Sequence, residues 1–133
     1  MLPTLRPADD VGSAVAEFVM VSVLVIGLFA GVLQVGLVLY VRNTLVAAAA
    51  DGARYAANAD RGPGDGAAYT EDVIRSALAD RFAGDVTAGY ESIGGAPTVY
   101  VQADVSLPLL GFWGPREGPR LTVRGHALDE DVP

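Results

Sequence analysis

Between Glu17 and Arg42 the chain runs for 24 residues without a formal charge, FVMVSVLVIGLFAGVLQVGLVLYV. Ser22 and Gln34 are the only clearly polar side chains inside it. At 1.5 Å per residue a helix of that length reaches about 36 Å, enough to cross a ~30 Å hydrocarbon core with some tilt. Core helices of small domains are seldom so long or so apolar all round, so the run reads as a membrane span. A cleaved secretory signal fits less well. Its apolar region would be about 7–15 residues behind a basic start, whereas here Arg6 is set against Asp9 and Asp10.

Composition narrows the function. Charged residues are 19% of 133, below the ~25% of soluble domains. There is no Cys, which removes disulfides, thiolate nucleophiles and Cys-ligated metals. A single His, His126, leaves one partner for any Ser–His machinery. The net charge of −7 argues against gripping nucleic acid. No cofactor, no metal and no enzyme are expected.

Residues 1–12 (MLPTLRPADDVG) read as a short non-helical leader. Helix is expected from Ser13 or Ala14, through the span and on through the Ala-rich stretch to residue 60, since Ala is the best helix former. RGPGDG (61–66) opens a Gly/Pro linker placed at 61–68. A second helix is expected over Tyr69–Phe82, with Thr70 as N-cap and Glu71 and Asp72 in the first turn. Val73, Ile74, Ala77, Leu78 and Phe82 give it one apolar face, and Gly84 follows its end. The period then changes to two. Val99, Val101, Ala103, Val105 and Leu107 alternate with polar residues, as do Leu121, Val123 and Ala127. A weaker strand fits Val86–Ile93, with a hairpin at Gly94-Gly95. The predicted class is α+β: a long single-pass transmembrane helix extending beyond the membrane (13–60), then a small domain (69–133) of one helix on a roughly three-stranded antiparallel sheet. About 65 residues are few for an independent core, so the long helix is a candidate to complete it.

Several local features carry candidate roles. Gly27 and Gly31 form a G-x-x-x-G that admits a second helix, and Ala48, Gly52 and Ala56 continue small residues at spacing four. Gln34 seeks a partner, across helices or on its own backbone. Asp51 and Arg54 can pair along the helix or reach the small domain. Asp60–Gly66, with Glu71 as twelfth residue, has the outline of a calcium loop. It carries Gly at its third and fifth positions and Asp where Gly belongs, so it reads as a plain linker. His126 reads as a solvent-facing strand residue. Leu109, Leu110, Phe112 and Trp113 either fold back over the sheet end or form an exposed partner or membrane contact. The acidic tail Asp129-Glu130-Asp131 reads as solvated.

An acidic residue at the edge of an apolar span needs a role. Gly12-Ser13-Ala14-Val15-Ala16-Glu17-Phe18 resembles the processing site of type IV prepilins and pseudopilins. In that family a prepilin peptidase cuts after Gly and leaves Glu at the fifth mature position, as Glu17 is when counted from Ser13. Arg42, Leu45, Ala47 to Ala50, and Asp51-Gly52-Ala53-Arg54-Tyr55-Ala56-Ala57 resemble the region after the span in TadE-like proteins. These are pseudopilin-like components of the Tad (tight adherence, Flp pilus) machinery. The resemblance covers roughly residues 12–60. Phe18 stands where the family often has Tyr, and the leader is less basic than usual. The resemblance implies a minor pseudopilin of the inner membrane, with cleavage between Gly12 and Ser13 and Glu17 as assembly carboxylate. Implied partners are the prepilin peptidase, other pilins and pseudopilins, the Tad assembly platform and membrane lipid. It also implies an extracytoplasmic C-terminal domain, whereas the arginine count (Arg6 before the span, Arg42 and Arg54 after it) taken alone favours the cytoplasm. The alternative is a bitopic protein whose small domain binds or regulates another partner.

Overall fold

The computed structural model describes the backbone of residues 8–107 and 118–129, and side chains from residue 11 onward within those ranges. The order is α1 (Ala8–Ala57), α2 (Pro63–Ala77), a 3-10 turn (Asp80–Phe82), β1 (Val86–Ile93), β2 (Ala96–Ser106) and β3 (Arg120–Leu128). The class is α+β: a long apolar N-terminal helix, then a second helix packed on a three-stranded antiparallel sheet of order β1-β2-β3.

α1 starts earlier than the sequence suggested. Ala8–Gly12 are already helical, because nothing between Pro7 and Pro63 forbids it and Gly12 costs only about 1 kcal/mol. Residues 1–7 lie outside the described residues. The helix ends where Asp60 turns to φ 71°, a left-handed conformation that Asp tolerates better than most residues.

α2 begins at Pro63 rather than Tyr69, so most of the expected 61–68 linker is helical. Pro is a natural first helical residue, since its missing N–H would have had no helical partner. Gly62 is extended and its N–H donates to Asp65 Oδ2 at 2.9 Å. The cap thus lies at Gly62 and Asp65, and Thr70 is in mid-helix. α2 stops at Ala77, and Phe82 belongs to the 3-10 turn that follows.

The hairpin at Gly94 and Gly95 is a two-residue turn with φ 61° and 85°, closing the Ile93–Ala96 pair. Both positive values fit the turn that matches strand twist. Alternation along β2 buries Val99, Val101, Ala103 and Val105 on one face. On that face Val41, Leu45, Ala48 and Ala49 of α1 join Ile74 of α2, Phe82, and Val123 of β3 in one core. The compact unit spans Leu37–Pro133, so the last 21 residues of α1 complete the small domain's core. Residues up to Gly36 form a unit of their own. Leu109, Leu110, Phe112 and Trp113 fall outside the described residues, as do Glu130 and Asp131.

Candidate assembly surfaces

The N-terminal unit is a helix exposed on every side. Its most apolar stretch has a mean hydropathy of 2.5 and is 0% buried, which separates it from a core helix. Phe18, Leu24, Ile26, Leu28 and Phe29 are all exposed. In water that surface would cost about 25 cal/mol per Å², so the helix needs an apolar surrounding. It is long and apolar enough to span a membrane. Ser22 does not disturb this, because its hydroxyl donates to the Phe18 carbonyl at 2.7 Å.

Gly12, Ser13 and Glu17 lie on exposed helix. Ser13 and Glu17 are one turn apart and share a face. Gly27 and Gly31 lie in an open groove with Leu28, Val32 and Val35, and a Cβ on either glycine would meet nothing within 4 Å. Gln34 is partly buried, one turn beyond.

In the second unit the small residues are already used. Ala48, Gly52 and Ala56 are buried. A methyl on Gly52 would overlap Thr70 Oγ1 and lie 2.8 Å from the Gly66 carbonyl oxygen of α2. Thr70 Oγ1 is 2.8 Å from the Gly66 oxygen and 3.3 Å from the Ala48 oxygen, so one hydroxyl ties the two helices together. Tyr55 stacks on Tyr69 at 4.6 Å, and the Arg61 guanidinium caps Tyr55 at 3.8 Å. Leu45 is fully buried, whereas Arg42, Asp51 and Arg54 face outward. Asp51 and Arg54 meet at 3.4 Å along the helix, a contact worth little at such exposure.

The outer sheet face carries a polar ladder. Glu91 of β1 lies 2.6 Å from His126 Nε2 and 3.5 Å from Arg124. Arg124 Nε donates to Gln102 at 3.1 Å, and its guanidinium lies 4.7 Å over the Tyr100 ring. Gln102 donates to Asp104 at 2.8 Å, and Thr122 donates to the other Asp104 oxygen. These two donors, with Arg120 and Arg124 nearby, hold the Asp104 carboxyl below the usual aspartate range. The ladder is an open surface across three strands, and most of its side chains are tied to one another. His126 faces outward as its strand parity requires. Its carboxylate partner is two strands away and was not readable from spacing.

Gly66 and Gly125 were missed in the sequence, although Gly125 carried a signal. It occupies an inward strand position between Val123 and Ala127, where a side chain was due. A methyl there would overlap the Ala49 backbone, so α1 lies directly on β3.

No curated protein and no solved structure matches the chain. A family model does, and it falls on the helix just described, from the Gly12 face to the outward Arg54. Over residues 12–54 the chain matches the TadE-like protein family.

Proposed function

We propose that the chain is a minor pseudopilin of a Tad pilus assembly or secretion system: a single-pass, membrane-anchored structural subunit. The observation that carries this is a coincidence of extent. The family match over 12–54 begins at Gly12 and takes in the whole uncharged run and its membrane-proximal continuation. In this reading a prepilin peptidase removes residues 1–12. The freed helix packs with other pilins and pseudopilins through its open Gly27/Gly31 groove. The α+β unit stands outside the inner membrane, near the assembly platform.

Glu17 is the charge this scheme needs. A carboxylate near a helix start is favoured by the dipole, and in an apolar bundle it would pair with a neighbour's freed N-terminal amine. The test is Glu17→Ala in the native host at equal protein level. Pilus output and crosslinking to other pilins should fall by an order of magnitude or more, while the α+β unit, which does not include Glu17, stays folded. Glu17→Gln should resemble Glu17→Ala if charge pairing is the role. Wild-type output from both variants would contradict the proposal.

A further inference from the structure

The uncharged run ends inside the folded unit. Leu37, Val38 and Val41 belong to the run by sequence, and within the unit they pack with Leu78, Ala79 and Phe82. The other end of the unit, where Ala56 and Ala57 meet Val99, lies about 24 Å further along the helix. At the Val41 end, Leu37, Tyr40, Val41, Ala77, Leu78 and Arg81 line an open groove.

We propose that this end of the unit is seated in the headgroup layer of the bilayer, with phospholipid occupying the groove. The proposal rests on the reading that the apolar helix spans the membrane. The 24-residue run reaches about 36 Å against a hydrocarbon core of ~30 Å, so its last turn, with whatever packs on Val38 and Val41, comes out at the level of the headgroups. The side chains suit it. Tyr40 is 57% exposed, and tyrosine favours the interface because one end of its ring is apolar and the other wet. Arg42 and Arg81 are exposed and, among the described residues, neither pairs with a carboxylate. The Arg81 guanidinium lies 4.9 Å over the Phe82 ring, so an exposed positive charge is held against the apolar edge of the groove, where a lipid phosphate can meet it. Asp80, exposed and next to Arg81 in the chain, brings an opposite charge. The charge is therefore mixed, and zwitterionic lipid suffices.

The chain has no cysteine, so single-cysteine spin labels report without background. The full chain, carrying Leu28→Cys, Ala77→Cys or Ile93→Cys in turn, is reconstituted in phosphatidylcholine vesicles. All three positions are exposed. Relative collision with oxygen and with a water-soluble nickel chelate gives the depth of each. The expected order is 28 deepest, 77 intermediate and 93 in water, with the oxygen-to-nickel ratio at 77 several-fold above that at 93. Adding Arg81→Glu should lower the ratio at 77. A lipid-like 28 with 77 equal to 93 overturns the seat and leaves the span standing. A water-like 28 overturns the span, and the seat with it.

Discussion

Gly52 of α1 and Gly66 of α2 meet backbone to backbone: a methyl on Gly66 would lie 2.6 Å from the Gly52 carbonyl oxygen and 2.7 Å from the Ala56 Cβ. The crossing exists because neither residue has a side chain. Gly52→Ala should therefore destabilise the unit by about 1–3 kcal/mol, the usual range for overpacking. Gly64, two residues earlier in the exposed first turn of α2 with open space around it, is the control. Gly64→Ala should stabilise by about 0.5–1 kcal/mol. Thermal unfolding of the full chain in detergent separates the two signs.

Gly125→Ala tests the contact between helix and sheet. The added methyl would overlap the Ala49 backbone, which cannot move without shifting α1 off β3. A loss of about 1–3 kcal/mol is expected, with the core amides of β3 losing hydrogen-exchange protection before those of β1. Wild-type stability would show that the helix sits less closely on the strand.

These contacts explain what could be read from sequence. Period two placed β2 and β3 and their buried faces, because residues such as Val99, Val101 and Ala103 leave the chain one choice, while Val86–Ile93 reads only as a weaker strand. The apolar helix followed from its length alone. The start of α2 did not, because Gly62 and Pro63 look like breakers until Pro is set at the first helical position and Asp65 caps it. Thr70 has the residue type and position of a cap, yet its hydroxyl serves a helix 22 residues away in the chain. The run of alanines signalled helix but not its partner. Ala48, Gly52 and Ala56 at spacing four pointed to a close helix contact without naming α2, and the inward Gly125 carried a like signal for the sheet. The Glu91–His126 pair depends on register across two strands, which single-residue patterns do not encode.

Asp104 makes stability depend on pH. Its folded carboxyl binds protons less readily than in the unfolded chain, first because Thr122 and Gln102 donate to it. The contribution is complete above the ordinary aspartate range. It drains as pH falls through that range toward the lowered folded value, where both states become protonated. Thr122→Val, which removes the first donor, should lower stability on the neutral-to-basic side, leave the most acid points little changed, and so flatten this acid dependence. Urea midpoints across the acid range measure it.

The groove at Gly27 and Gly31 should behave in the opposite way to the Gly52 crossing. Both positions are open, so Gly27→Leu with Gly31→Leu should leave the melting of the α+β unit unchanged. If another helix packs there, crosslinking between position 28 and pilin partners in native membranes should drop several-fold. Undiminished crosslinking with normal pili would remove the groove from the assembly surface.

The central claim, a processed pilin-like subunit, is tested most directly by the mass of the mature N-terminus recovered from native membranes. The account predicts a chain beginning at Ser13 when prepilin peptidase is active, and one retaining Met1–Gly12 when the peptidase gene is deleted. Recovery of intact Met1 chains alone from the peptidase-positive strain would contradict it and leave α1 as a plain membrane anchor.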